Sequence, residues 1–355
     1  MKKTNFHTHV YRCGHATGNV KDYVREAVEN GYEAIGISDH GPLPDYLFDR
    51  MGHSEVEEYL NDINEAIAEF GDKIKIYKAL ELEYFPEFDE YYKDLEEKFD
   101  YLVLGHHYYD GRKSSWHVET VDNLETYVNE LIRAMESGHF AFPAHPDLFA
   151  SAYPIWDENC IAASYKICKK ALELDMPLEI NANGVRKGLH PKPEGMRYGY
   201  PREEFWKIAS ECGVKVLVNS DCHHPHEFHD ESVEKARELI IANDTAQKHI
   251  SSHQSTLFVP VLNRPAREIV SILHETASLL SKTATTDPDL LQTLKSSNAT
   301  PSGNILILSG SPQSLEKAKE LIGANDIVQK NLLTPEVFVY KLQYLSPADL
   351  KATLF

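Results

Sequence analysis

The sequence of 355 residues predicts an α/β protein in two parts, about seven βα units followed by a small α+β module. Three observations lead there. Short aliphatic runs alternate with stretches of helical period across residues 1–240. A histidine or carboxylate stands at the end of nearly every one of those runs. The composition then changes abruptly near residue 240.

The strand runs are Lys3–Val10, Ala34–Ser38, Ile74–Leu82, Tyr101–His107, Phe140–Ala144, Leu178–Asn181 and Val214–Asn219. Apolar residues at three- and four-residue spacing predict helices over Val20–Asn30, Ser54–Phe70, Val121–Ser137, Cys160–Leu174, Arg202–Cys212 and Glu231–Ile240. Gly31, Gly71, Gly138 and Gly213 close helical runs, where a left-handed glycine cap is expected. Such units in series build either a parallel barrel or a doubly wound sheet. Both put the active site at the carboxyl ends of the strands.

Charge narrows the function. A net charge of -19 speaks against nonspecific nucleic-acid binding, which needs an excess of Lys and Arg. Residues 241–355 hold ten Lys+Arg and ten Asp+Glu, so the whole net charge lies in the first 240. That part also carries fifteen of the eighteen His and every Trp and Cys. No run approaches the ~18 apolar residues of a membrane span. The opening Met1-Lys2-Lys3-Thr4-Asn5-Phe6 lacks the apolar segment of a secretory signal, so a cytoplasmic protein is expected. Five cysteines without a CxxC pair predict reduced, mostly buried thiols and no thiolate zinc site.

The strand ends carry the chemistry. The first ends in His7-Thr8-His9, and alternate residues of a strand share a face, so both imidazoles can reach one ion. Later ends read Ser38-Asp39-His40, Glu81 with Glu83, Gly105-His106-His107, Ala144-His145-Pro146 and Ser220-Asp221-Cys222-His223. One such histidine is usually a satisfied core residue. Six of seven strand ends with a metal-binding side chain are a pattern. Nitrogen and oxygen donors without thiolate suit zinc, manganese or iron.

In this order Phe6-His7-Thr8-His9, Cys13-Gly14-His15-Ala16, Ile37-Ser38-Asp39-His40-Gly41, Leu80-Glu81-Leu82-Glu83, Gly105-His106-His107-Tyr108, Ala144-His145-Pro146-Asp147 and Asn219-Ser220-Asp221-Cys222-His223 resemble the polymerase-and-histidinol-phosphatase (PHP) family. The runs Tyr84-Phe85-Pro86 and Glu179–Gly188 resemble its histidinol-phosphatase branch. The resemblance implies a distorted (βα)7 TIM-like barrel over residues 1–243. It implies three divalent ions: one on His7, His9, Glu81 and Asp221, a second on Glu81, His107 and His145, and a third on His15, His40 and His223. It also implies attack of an activated water on a small phosphomonoester, histidinol phosphate first, with Glu81 and Asp221 in the catalytic set. Family members acting on nucleotides or nucleic-acid ends are the alternative.

Other candidates come from the residues themselves. Arg186 is the expected phosphate clamp, with Lys187 and Arg197 as further substrate contacts. Tyr198 and Tyr200 are candidates for the organic head. Glu83 and Asp39 are expected to orient imidazoles, His106 to be buried off the site, and His224, His226 and His229 to be solvated.

Residues 244–355 form the second part. Glu234–Lys248 and Glu316–Lys330 share eleven of fifteen residues at a period of 82. Strand runs at Leu257–Leu262, Asn304–Ser309 and Val337–Leu342 alternate with helix starts at Arg264-Pro265-Ala266, Ser311 and Ser346-Pro347-Ala348. This strand-helix-strand-helix unit resembles the ring-building modules of secretins, and that resemblance implies assembly or self-association rather than chemistry. Joined to a cytoplasmic phosphatase, it reads as a fusion. Leu257–Leu262 would then have to supply the strand that closes the barrel.

Overall fold

The computed structural model describes residues 3–45, 48–239, 255–260, 266–281, 288–299, 305–310 and 312–325. The chain divides into two compact units, Met1–Gln247 and Lys248–Phe355.

In the first unit five parallel strands lie side by side in chain order: β1 (Thr4–Asn5), β2 (Ala34–Ile37), β3 (Lys75–Leu82), β4 (Tyr101–Leu104) and β5 (Phe142–Pro143). A parallel pair, β6 (Leu178–Asn181) and β7 (Val216–Asn219), continues the curve. Beyond β7 the ring returns to its start. Thr8 bridges Cys222, His9 N–H donates to Cys222 O (3.1 Å) and Asp221 N–H donates to His7 O (3.0 Å). The result is a distorted (βα)7 barrel. β1 is short because side chains replace its ladder partners: Phe6 N–H donates to Asn219 Oδ1 and Thr8 N–H to Ser38 Oγ.

Helices Val20–Glu29, Val56–Phe70, Val121–Glu136, Glu158–Glu173 and Glu203–Cys212 follow strands of the barrel, and 231–239 is also helical. The first shows why. Asn19 and Asp22 cap each other's backbone, and Val20, Tyr23, Val24 and Ala27 form one buried stripe. Burying each large apolar side chain contributes roughly 1.5–3 kcal/mol before chain entropy is subtracted. Inside the barrel Val103 and Phe142 are buried, with Phe6, Tyr101 and Leu217 packed on them. A Cβ at Gly36 would sit 1.7 Å from Tyr101 Oη, so only glycine leaves room there.

Some expectations change. Helix Asp89–Glu96 and the hairpin Leu189–Lys192/Gly195–Tyr198 were not foreseen. Gly71 does not adopt the left-handed cap, because its φ is −66° and its N–H simply continues the ladder to Ile67 O. The run Leu257–Leu262, expected to close the barrel, is described as far as Pro260 and belongs to the second unit. The strand spans Ser255–Pro260 and pairs antiparallel with Ile305–Gly310 in the second unit.

That second unit has a three-stranded sheet, ordered Ser255–Pro260, Ile305–Gly310, Asn298–Ala299. Helices Ala266–Leu280, Pro288–Lys295 and Pro312–Asn325 join it. Ile269, Leu273 and Ala277, four residues apart, meet Leu306 and Leu308, which alternate along their strand. The helix Pro288–Lys295 and the strand Asn298–Ala299 interrupt the expected strand-helix-strand-helix order. The strand run at Val337–Leu342 and the helix start at Ser346 lie outside the described residues. Among the described residues no helix is long and apolar enough to cross a membrane.

Candidate metal centre and active site

The strand-end side chains converge on one mouth of the barrel. His7, His9, Glu81, His145 and Asp221 are buried there, with His40 at 9% exposure. Glu81, at the end of β3, is the hub. Its Oε2 lies 3.2 Å from His7 Nε2, 3.4 Å from His9 Nε2 and 3.2 Å from His40 Nδ1. Its Oε1 lies 3.6 Å from His145 Nε2 and 3.8 Å from His107 Nε2. Asp221 Oδ1 stands 3.0 Å from His9 Nε2 and 3.6 Å from His7 Nε2.

The donor atoms fall into compact groups, each within 4.8 Å: His7, His9 and Glu81; Glu81, His107 and His145; His15, His40 and His223. Cys13 with His9 and His223 makes a further group, although the Cys13 thiol donates to Val10 O. The three residues His106, His145 and Asp221 take left-handed φ values of 47°, 33° and 46°. Each such backbone costs about 1 kcal/mol or more, and strain of this kind gathers at functional sites.

What the imidazoles do with their other nitrogen decides what the cluster can hold. His7 Nδ1–H donates to Glu179 Oε1 (2.8 Å), His9 Nδ1–H faces Asp39 Oδ1 (3.3 Å) and His107 Nδ1–H donates to Glu83 Oε1 (2.8 Å). His15 and His223 turn Nδ1 to the carbonyls of Cys13 and Asp221. With Nδ1 carrying the proton, five Nε2 lone pairs point inward, and His7 and His9 bring theirs to 3.0 Å of each other. Two lone pairs at that distance need a proton or a cation between them. The carboxylates ask for the same. Glu81 Oε1 and Asp221 Oδ1 are buried and make no hydrogen bond. Leaving such atoms bare costs several kcal/mol. The donor set therefore fits divalent cations.

Electrostatics agrees. Burial pushes Glu81 up, yet His7, His40 and His107 hold it well below the carboxylate range. Burial pushes Asp221 up, and His7 and His9 overcome it. In return burial lowers His7 and His9, but their carboxylates raise both well above 6.5. His40 is driven well below 6.5 and His223 to about 3, both chiefly by burial, so these two stay neutral and ready to ligate.

Above the cluster opens a cavity of about 510 Å³, whose walls include Arg50, Trp116, Lys187 and Tyr200. Lys187 Nζ donates to Tyr200 Oη (2.7 Å) and lies 4.9 Å over the Trp116 ring. Arg186 does not reach this cavity, which corrects the clamp expected of it. It sits in a short helix, Ala182–Arg186, and its Nε donates to Asp230 Oδ2 (2.7 Å) and Nη1 to Ser220 O (2.6 Å). It braces the loop that carries Asp221. Arg197 is exposed on the hairpin and donates to Met196 O. His106 turns away to Tyr127 O. His226 is exposed, whereas His224 and His229 are half-buried and bonded to Thr17 and Tyr32 rather than solvated.

Sequence reasoning missed Glu179. Fully buried, it accepts from His7 Nδ1, Asn219 Nδ2, Asn181 Nδ2 and the His145 N–H, which uses every lone-pair direction it has. The signal was a glutamate inside the apolar strand run Leu178–Asn181, where a solvated residue has no place. Arg50, in an irregular loop, gave no periodic signal.

Residues 5–183 match the PHP domain. The probable histidinol-phosphatase of Deinococcus radiodurans is 27% identical over 234 residues, spanning 62% of this chain and 86% of that protein. The histidinol-phosphatase of Bacillus subtilis is 24% identical over 263 residues, 63% of this chain and 94% of that one. Among solved structures, the histidinol phosphate phosphatase of Lactococcus lactis, complexed with zinc, L-histidinol and phosphate, has a similar fold. It superposes with a TM-score of 0.54 at 23% identity, covering 68% of this chain and 94% of the other.

Proposed function

This chain belongs to the PHP-domain family, and we propose that it is a metal-dependent phosphomonoesterase hydrolysing L-histidinol phosphate to L-histidinol and phosphate, a step of histidine biosynthesis. One observation carries the reading: buried imidazole lone pairs and unpartnered carboxylate oxygens gather around Glu81 at the floor of a cavity. The likeness to histidinol-phosphatases supports the choice of substrate.

We assign three divalent ions, zinc, manganese or iron, to the groups described: His7, His9, Glu81 and Asp221; Glu81, His107 and His145; His15, His40 and His223. When bound, such ions supply Lewis acidity, which brings the ionisation of water toward neutral pH and offsets charge on phosphate oxygens. The chain does the rest. Glu179, Asp39 and Glu83 hold the Nδ1 protons of His7, His9 and His107, so that Nε2 stays available. Lys187 Nζ, its pKa lowered by burial, can donate to a phosphate oxygen or to the departing one. In the reaction a water oxygen bonds to phosphorus while the P–O bond to histidinol breaks. The water gives up a proton and the departing alkoxide gains one. Trp116 and Tyr200 offer flat faces for the organic head.

The test is phosphate release by metal-stripped protein reloaded with each ion in turn. Histidinol phosphate is set against a sugar phosphate and a mononucleotide. Histidinol phosphate is expected to give the highest kcat/KM. A tenfold preference for the mononucleotide would overturn the reading in favour of the nucleotide-acting alternative.

A further inference from the structure

We propose that Arg50 is the side chain that binds the phosphoryl group at this site, in the substrate ester and in the released phosphate alike, an assignment that rests on the phosphatase reading above. Arg50 lies on the loop after β2. There Met51 N–H donates to His40 O (3.1 Å), which ties the loop to the strand end bearing one of the imidazoles. Its side chain is 5% exposed, and the residue lines the cavity together with His40, Glu81 and His107.

Among the described residues only one nitrogen of its guanidinium meets an acceptor. Nη2 donates to Glu83 Oε1 (2.6 Å), while Nε and Nη1 are buried and meet no acceptor. A buried cation with idle donors is costly unless something completes it. Glu83 cannot, because its Oε1 also accepts from His107 Nδ1 and its Oε2 accepts the His107 N–H. A bound tetrahedral oxyanion offers acceptor oxygens in several directions and the negative charge that matches. Held from one side by Arg50, it would present its other oxygens to the Glu81 cluster. Arg50 thus takes the part that Arg186, committed to Asp230 and Ser220, is not placed to play.

A purely structural role is the competing account, in which Arg50 serves only to steady Glu83 and through it His107. The two accounts differ in what a variant loses. Inorganic phosphate is titrated calorimetrically onto the metal-loaded full chain, as wild type, Arg50→Ala and Arg50→Lys. Concentrations are normalised to the loaded fraction by metal analysis, and KM and kcat for histidinol phosphate are measured alongside.

Arg50→Ala is expected to weaken phosphate at least tenfold and to raise KM by a similar factor, with kcat changed less. Arg50→Lys should recover part of the affinity, and guanidinium chloride should restore some to Arg50→Ala. A phosphate Kd for the loaded Arg50→Ala protein within twofold of wild type overturns the assignment, whatever happens to its metal content. Should Arg50→Ala fail to fold, the same twofold criterion on Arg50→Gln decides, because that variant keeps the bulk of the side chain and loses its charge. If wild type cleaves no phosphomonoester yet its phosphate affinity still depends on Arg50, the catalytic reading fails and the anion site stands.

Discussion

The two units bury polar groups in opposite ways. Around β1–β7, His7, His9, Asp39, Glu81, Glu179 and Asp221 are all buried, and Glu81 and Asp221 each keep an oxygen with no hydrogen bond. In the second unit the buried polar side chains among the described residues are the hydroxyls of Thr293, Ser297 and Ser314. Thr293 and Ser314 bond each other, and Ser297 donates to Leu294 O. The other buried residues described in that core are aliphatic. One interior closes on itself. The other is complete only with cations, and that incompleteness marks the functional end of the molecule.

The hardest blow to this contrast would come at Glu81. Glu81→Gln keeps the shape but removes the charge that five imidazole nitrogens face at 3.2–3.8 Å. Turnover is expected to fall by about 10³-fold or more, as loss of several kcal/mol of charge stabilisation implies. Circular dichroism should stay native. A loss under tenfold would mean that the carboxylate is not the hub.

Metal removal comes next. Chelation should abolish turnover and lower the melting temperature of the first unit while leaving that of the second unchanged, because binding free energy adds to folding only where the ligand sits. The pH dependence has a definite sign. Without metal, His7 and His9 carry the compensating positive charge, and their pKa values are raised despite burial, by Glu179, Asp221 and Glu81 for His7 and by Asp221 and Asp39 for His9. Their contribution is fully present below the unfolded value near 6.5 and is lost as pH rises through the raised folded values. The chelated protein should therefore lose first-unit stability on the alkaline side, and the loaded protein should not. Metal binding should release protons and weaken as pH falls. Calorimetry in buffers of different ionisation enthalpy reads the protons directly, and zero release at neutral pH would contradict the protonation scheme.

Glu179→Gln tests a smaller step, the support behind a ligand. The amide cannot accept from His7 Nδ1, Asn219, Asn181 and the His145 N–H at once, so metal affinity is expected to drop about 10–100-fold. Competition with a chromophoric chelator measures it. Unchanged affinity would assign Glu179 to packing alone.

Glu179 also shows where the sequence stopped being readable. The seven strand runs and their terminal His, Asp and Glu were legible because alternation and position at a strand's end are local properties. That Glu81 would stand among His7, His9, His107 and His145 was legible only through family resemblance, and its approach to His40 was not legible at all. Pairings over long separations were not. Arg186 looked free beside its neighbours in sequence, yet Asp230 and Ser220 reach it from 44 and 34 residues away. Leu257–Leu262 announced a strand but not a sheet, since its partner Ile305–Gly310 follows about fifty residues later. The left-handed turns at His106, His145 and Asp221 had no signal at all, because none is a glycine.

The smallest expected effect on chemistry falls in the second unit. Leu273 is fully buried between Ile269 and Ala277 on its helix, in the cluster that includes Leu306 and Leu308. Leu273→Ala should cost that unit about 2–5 kcal/mol, the range for deleting a buried leucine side chain. Since no metal group among the described residues draws on this unit, kcat and KM should stay within twofold of wild type. Truncation to residues 1–247 sharpens the point. The fragment should keep full turnover, because the ring already closes through Thr8 and Cys222 without a strand from beyond residue 247. If the tail instead mediates self-association, sedimentation of the full chain and the fragment will differ in oligomeric state while their turnover per chain agrees. A fragment that folds but has lost its activity would show that the first unit's cluster is not self-sufficient, and the contrast between the two interiors would need to be redrawn.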